Sequence, residues 1–279
     1  MVADTASAWC PLGSLASGAH PASTFPNSHL LALAATAGSP PGALAPARAA
    51  WSAPQAPSPL EELRAAVLAE DWELHYEEGR TKISMRPEWS ASEERCSLLQ
   101  VLACTSEARH VLEIGSFCGA GALAIAEVLP EGGAVRALEL DAFAIEFGRP
   151  FVTKSPDGGR IRTTPGSAAD TLKSLAEEVQ TGIEGPFDMV VVDADKECAR
   201  DYFDLVWASP GFLSEKAIVC VDMTAHKGQP PLRYVKYGFP HRWQTSSGQQ
   251  HIDALRAFVH ASPGFVAHEL QNLVIVRRA

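Results

Sequence analysis

Val111-Leu112-Glu113-Ile114-Gly115-Ser116-Phe117-Cys118-Gly119-Ala120-Gly121 decides how the rest of the chain is read. A short apolar run of strand type enters a turn bearing three glycines, and an alanine-rich helical stretch follows. Glycines let a ligand approach the backbone closely, and the start of a helix offers N–H groups without intrahelical partners. In an α/β sheet such a turn lies at the carboxyl end of its strand, where ligands bind beside the topological switch. The spacing is GxxxGxG, whereas pyrophosphate-binding turns carry GxGxxG. Taken alone, the turn also admits a plainer reading as a tight packing turn with no ligand.

Working outward, apolar strand-type runs alternate with amphipathic helical stretches. Strands are expected at His110–Gly115, Ala134–Leu140, Arg160–Thr164, Phe187–Asp193 and Lys216–Asp222. Helices are expected between them, near Ala120–Leu129, Ala142–Thr153, Ala168–Gln180 and Cys198–Ala208. This βαβ alternation predicts an α/β fold, a mostly parallel sheet with helices on both faces. A further helix near Gln249–His260 leads to runs Gly264–Leu270 and Leu273–Arg278, split by Gln271-Asn272, which read as a closing antiparallel hairpin. Upstream, Ser58 is placed to cap a helix, with Pro59 first inside it and Glu61 and Glu62 at its positive end. A second helix is expected from Ser90 or Ser92 to Cys104.

Residues 1–57 differ in kind: they are rich in Ala, Pro, Ser and Gly, with only Asp4 and Arg48 as charges. Such a segment buries too little apolar surface to offset its ordering entropy, so it is expected to be disordered, with the folded domain spanning 58–279. Its Ser/Ala-rich, acid-poor composition leaves organelle targeting open beside a plain linker. The 279 residues are 46% hydrophobic and 20% charged, enough for one sizeable core. A net charge of −10 argues against nucleic acid, whose phosphates need a basic face. No stretch has the roughly 18 apolar residues of a membrane span. Six cysteines form no CxxC pair and no zinc-type cluster with histidine, which predicts reduced, structural thiols in an intracellular, cytoplasmic protein.

Three further features carry chemistry. Glu139, near the end of the second strand, is an acid placed to accept hydrogen bonds from ribose hydroxyls; such an acid serves nicotinamide and S-adenosylmethionine sites alike. Val190-Val191-Val192-Asp193-Ala194-Asp195-Lys196 is a buried-type strand ending in two carboxylates and a lysine. Ile218-Val219-Cys220-Val221-Asp222 is another ending in an acid. Asp193 and Asp222 would end neighbouring strands, close enough to share a hard cation, unless they are ordinary strand-end carboxylates.

At this point the sequence resembles the small cation-dependent O-methyltransferases, the caffeoyl-CoA and catechol O-methyltransferase group. The likeness runs from about Met85 to Arg278 and is carried by LEIGSFCGAGALAIAEVLPEGGAV, FGRPF, FDMVVVDADKECARDYFDL and DMTAHKGQPPLRYVKY. The resemblance implies the Rossmann-like class I S-adenosylmethionine-dependent methyltransferase fold, a small hydroxylated acceptor and often a homodimer. It implies that Glu113, Gly115, Ser116 and Gly121 hold the methionine end of S-adenosyl-L-methionine, Glu139 the ribose and Ala168 the adenine. Asp195 corresponds to a second cofactor-side acid, Asp193 and Asp222 to ligands of a divalent cation such as Mg²⁺, and Lys196, with Asp193, to the catalytic machinery.

The sequence departs from the family pattern in several places. Met223 stands where the family has a ligating Asn, and a thioether is a poor ligand for Mg²⁺. Ala120-Gly121 replaces Tyr-Ser, removing a hydroxyl that would hold the cofactor carboxylate. His226 replaces a Trp, and Gln271-Asn272 replaces a Gly-Asp-Gly turn. Three readings of the metal remain open: weakened binding, metal-independent transfer to an acidic hydroxyl such as an enol, or cofactor binding without transfer. The expected activity is S-adenosylmethionine-dependent O-methylation of a catechol, phenol or enol, with Lys196 able to accept the proton only if its pKa falls. A degenerate cofactor-binding or interaction module is the main alternative, and a nicotinamide oxidoreductase a more distant one.

Overall fold

In the computed structural model, which describes residues 56–224 and 247–279, the deciding run becomes strand β1 (His110–Ile114) followed by helix α4 (Ala120–Ala126). Before them come α1 (Pro59–Ala69), α2 (Trp72–Glu77) and α3 (Glu93–Thr105). After them come β2 (Ala134–Glu139), α5 (Ala142–Lys154), β3 (Ile161–Pro165), α6 (Ala168–Gln180), β4 (Phe187–Val192), α7 (Ala199–Ala208), β5 (Leu213–Asp222), α8 (Ser247–Ala261), β6 (Phe265–Leu270) and β7 (Leu273–Arg278). His226 and all but two residues of the 1–57 extension lie outside the described residues.

The strands form one seven-stranded sheet in the order β3-β2-β1-β4-β5-β7-β6. Strands β1 to β5 are parallel, and β7 runs antiparallel to both β5 and β6. The order reverses between β1 and β4, so a crevice opens at their carboxyl ends. Strand alternation sorts side chains to two layers. Leu112, Ile114, Val190, Val192, Val219 and Val221 face a core that includes Leu172, Phe203 and Leu255 of α6, α7 and α8. Val111, Met189, Val191 and Cys220 face Leu98, Leu99 and Ile125 of α3 and α4. Each such fully buried aliphatic side chain contributes about 1.5–3 kcal/mol.

The helix starts follow local chemistry. Ser58 Oγ accepts from the Glu61 N–H at 3.2 Å and the Ser58 N–H donates to Glu61 Oε2 at 2.6 Å, a reciprocal capping box with Pro59 first in the helix. Ser92 caps α3 and Ser167 caps α6. Helix α4 is buried along its whole length, which its small residues allow, and stops at Ala126, short of the expected Leu129, where its last turn tightens. Strand β5 begins at Leu213, before the expected Lys216, because an irregularity in its pairing with β4 lets Leu213 rejoin the ladder opposite Phe187. Gln271 and Asn272 have φ of 50° and 59°, the left-handed geometry of a two-residue hairpin turn. Among the described residues no helix is long and apolar enough to cross a membrane.

Candidate active site

The site is built on the glycine turn. Gly115 has φ +87°, and a β-carbon there would stand 2.6 Å from the Asp193 carbonyl oxygen and 2.8 Å from the Ala194 nitrogen. The ends of β1 and β4 therefore touch backbone to backbone, which only glycine permits. The Gly115 and Ser116 N–H groups both donate to the Leu138 carbonyl, at 2.9 and 3.0 Å, tying the turn to β2. Phe117, also left-handed at φ +50°, packs its ring 4.9 Å from that of Trp72 on α2 and 6.2 Å from that of Trp89. That packing turns the Phe117 N–H onto Glu139 Oε2 at 2.7 Å, while Glu139 Oε1 accepts from the Asp141 N–H at 3.0 Å. Burial pushes the Glu139 carboxyl above the usual range, partly offset by those two N–H bonds.

A cavity of about 410 Å³ opens here, within the range of small-molecule sites. Gly115, Phe117, Glu139, Ala168, Asp195 and Lys196 line it, with Asp193 beside them. Ile83, Met85 and Trp89 supply an apolar wall. Ala168 opens α6, and the preceding Gly166 N–H is bound to the Glu139 carbonyl at 2.8 Å, so the helix start and the ribose acid are held together. Glu113, Ser116, Gly121 and Asp222 do not line the cavity but stand behind its wall. Strand alternation turns Glu113 toward α4, where its carboxylate occupies the space that a β-carbon at Gly121 would need. The missing hydroxyl at position 121 thus has a local cause: the glycine makes room for Glu113.

At the other rim, Lys196 Nζ donates to Asp193 Oδ1 at 2.9 Å and to Asp222 Oδ2 at 2.8 Å. Burial alone would lower its pKa, but the two carboxylates outweigh it and hold the ammonium above its ordinary value. Lys196 is therefore kept charged, the opposite of what a proton-accepting lysine needs. Tyr202 donates its hydroxyl to Asp195 Oδ1 at 2.7 Å, and burial together with that carboxylate raises the phenol. The Cys198 thiol is pushed up to about 11, chiefly by its hydrogen bond to Asp195.

Among the residues that sequence reasoning missed is Arg95. Its Nη2 donates to Asp222 Oδ1 at 2.8 Å and to the Gln271 carbonyl at 3.1 Å, and the Thr224 hydroxyl reaches the same Asp222 oxygen at 3.0 Å. Its signal was a lone cation among Leu98, Leu99 and Leu102, three, four and seven residues on, along a helix face that is otherwise apolar. Asp222 is only 1% exposed, so its charge requires partners, and it has two cations. Met223, one residue along the strand, faces the opposite layer and packs into the core with Ile252 and Leu255, its N–H bound to the Asn272 carbonyl at 2.7 Å. The cation implied by the family resemblance needs several oxygens around an open centre. Here an ammonium sits between the two carboxylates, a guanidinium sits on one of them, and the neighbouring Met223 side chain points away. Among the described residues no group of three or more His, Cys, Asp or Glu is placed to hold a metal. These residues as arranged do not fit a divalent cation.

Comparison with known proteins agrees with this architecture. A family model described as "O-methyltransferase" matches residues 71–229. Tricin synthase 1 of Oryza sativa subsp. japonica is 37% identical over 107 residues, 38% of this chain and 42% of that protein. Caffeoyl-CoA O-methyltransferase 1 of Eucalyptus globulus is 29% identical over 149 residues, 53% of this chain and 54% of that protein. The chain thus spans about half the length of these curated relatives. The structure of the O-methyltransferase from Bacillus cereus in complex with SAH superposes with a TM-score of 0.58 at 22% identity, covering 80% of this chain and 90% of that one, a likeness of fold. With the family model spanning more than half of its length, and the sheet order and glycine turn in place, the chain belongs to the O-methyltransferase family.

Proposed function

We propose that this chain is an S-adenosylmethionine-dependent O-methyltransferase acting on a catechol, phenol or enol hydroxyl of a small molecule. One observation carries the proposal: a single cavity joins Glu139 and the start of α6 on one side to the Lys196–Asp193 pair on the other. Glu139, Gly115, Ala168 and Asp195 would hold the cofactor, with Glu113, Ser116 and Gly121 shaping the turn beneath it. S-adenosylmethionine supplies an electrophilic methyl group on a sulfonium sulfur. The chain's own part is to orient the acceptor and to stabilise the negative charge on its oxygen. Lys196, held charged by two carboxylates, does the second. The methyl replaces the acceptor's hydroxyl proton, which leaves to solvent.

An ammonium held charged helps most when the hydroxyl is already acidic, which favours phenols and enols over aliphatic alcohols. Ile83, Met85 and Trp89 give a planar acceptor an apolar surface to lie on. The net charge of −10 fits a small-molecule partner rather than nucleic acid. A cytoplasmic location, a homodimer and the 1–57/58–279 division belong to the same proposal.

The test begins with calorimetric titration of S-adenosylhomocysteine, followed by a labelled-methyl screen of phenols and enols. Lys196→Ala is expected to bind S-adenosylhomocysteine as the parent does while turnover falls by about 10²-fold or more. Unchanged turnover would remove Lys196 from the chemistry. Tight binding with no transfer to any acceptor would favour the non-catalytic module.

A further inference from the structure

The corner between α3, β5 and the hairpin turn holds two carboxylates, Asp193 and Asp222, and two cations, Lys196 and Arg95. Four features together make it a tightly paired ionic cluster at the edge of the cavity. Its charges balance. Asp222 is 1% exposed, and the side chains of Arg95 and Lys196 are 14% and 13% exposed. Both Asp222 oxygens are engaged, Oδ1 by Arg95 and Thr224 and Oδ2 by Lys196. The guanidinium is fixed from a second direction by the Gln271 carbonyl. A divalent cation shared by Asp193 and Asp222 would have to displace the buried Lys196 ammonium and sit on a carboxylate already neutralised by the Arg95 guanidinium, which is costly.

We propose that Arg95 stands in for the divalent cation: it neutralises Asp222, fixes the carboxylate that positions Lys196 at the cavity rim, and makes transfer by this chain independent of metal. Arg95 does not line the cavity, so its role is that of a positioning residue acting through Asp222 and Lys196. Its Nη2 alone serves both the Asp222 carboxylate and the Gln271 carbonyl, tying the strand end to the hairpin turn. The inference rests on the transferase reading given above.

The experiment uses the full chain and Mn²⁺ as the probe, with S-adenosylhomocysteine calorimetry as an independent check of the cofactor site. Wild type is expected to bind S-adenosylhomocysteine, to leave the six-line electron paramagnetic resonance spectrum of free Mn²⁺ undiminished, and to turn over equally with and without EDTA. Arg95→Ala should keep its S-adenosylhomocysteine affinity within about threefold and lose turnover by about tenfold or more in EDTA, since Asp222 loses one of its two cations and draws Lys196 away from the cavity rim. It should also take up Mn²⁺ that wild type refuses, a gain that a merely structural role for Arg95 would not produce. Should Arg95→Ala fail to fold, Arg95→Gln keeps a donor to Asp222 without the charge and carries the same expectations. Uptake of one Mn²⁺ per wild-type chain, abolished in Asp222→Asn, would overturn the proposal while leaving the transferase reading intact. So would full turnover of Arg95→Ala in EDTA. Failure of wild type to bind S-adenosylhomocysteine at all would instead overturn the transferase reading, and this inference with it.

Discussion

Gly115→Ala separates the two demands that the turn makes on its first glycine. The first is conformational: φ is +87°, and an L-residue in the left-handed region costs about 1–2 kcal/mol. The second is proximity: the new methyl would stand 2.6 Å from the Asp193 carbonyl oxygen and 2.8 Å from the Ala194 Cα, and both are backbone. Relief requires the ends of β1 and β4 to part, which strains the Asp193 N–H to Ile114 carbonyl bond of 2.8 Å, worth about 0.5–1.5 kcal/mol. The total is about 1.5–3.5 kcal/mol, a large share of the roughly 5–15 kcal/mol that holds a typical domain. Gly132→Ala is the control. Its φ is +77°, but nothing lies within 4 Å of the added carbon, so only the conformational cost of about 1 kcal/mol applies. Urea unfolding reads the difference: with a slope near 3 kcal/mol per molar, the midpoint should fall by about 1 M in Gly115→Ala and about a third of that in Gly132→Ala. Equal shifts in the two variants would refute the close-approach argument. A shift confined to Gly115→Ala would show that the left-handed backbone costs nothing at Gly132 and leave close approach as the source of the difference.

Two other predictions concern charge. Asp188, at the start of β4, accepts the Arg109 and His110 N–H groups at 2.9 and 3.0 Å; burial raises its pKa, but those bonds outweigh it and hold the carboxyl below its usual range. Its stabilisation is therefore complete above the unfolded value near 4 and is lost as pH falls through the lower folded value, so Asp188→Asn, which keeps an acceptor but loses the charge at a partly solvated site, should cost about 0.5–1.5 kcal/mol at neutral pH and less near pH 3. Urea midpoints showing the same penalty at both pH values would contradict this. Glu139, raised by burial, takes up its proton at higher pH than an ordinary glutamate, so S-adenosylhomocysteine affinity should begin to weaken on acidification while normal carboxylates are still ionised. Glu139→Gln should weaken binding by about 10- to 100-fold at pH 8 and flatten that pH dependence, both measurable by calorimetry.

The sheet was legible in the sequence because alternating runs such as 187–192 and 218–222 are buried on both faces and bounded by glycine, proline and acids. Helix α6 was read to its terminal residues, since Ser167 caps it and its apolar period is regular. Helix α2 was not seen. It has six residues, mostly polar, and is secured by an Asp71 cap together with Trp72 and His75, whose burial comes from contacts with α5 and the turn rather than from local pattern. Gly115, Glu139, Ala168, Asp193, Asp195 and Lys196 of the cavity lining were legible because strand ends and the glycine turn mark them by position, whereas Ile83, Met85 and Trp89 reach it from an irregular stretch with no such mark. The ionic corner was not: Arg95 and Asp222 are 127 residues apart, and no local period reveals which carboxylate a helix cation will meet. In the sequence Met223 shows only as a thioether at a position where the resemblance implies a ligand. The strand's two-residue alternation supplies the missing fact, that Met223 and Asp222 face opposite layers.

The span of that corner also bears on how the protein is made. Arg95 reaches forward 127 residues to Asp222 and 176 residues to Gln271. A nascent chain that has emerged only through β5 therefore has Asp222 in place but neither the hairpin carbonyl that steadies its arginine nor β7 to cover the edge of β5. Contacts this distant in sequence slow folding and lengthen the time during which apolar strands stay exposed. Folding during synthesis should accordingly stall at a compact intermediate lacking the corner, and ribosome-bound chains halted before β7 should remain sensitive to protease across β5. Chains released after Gln271 and its strand emerge should become resistant in a single step.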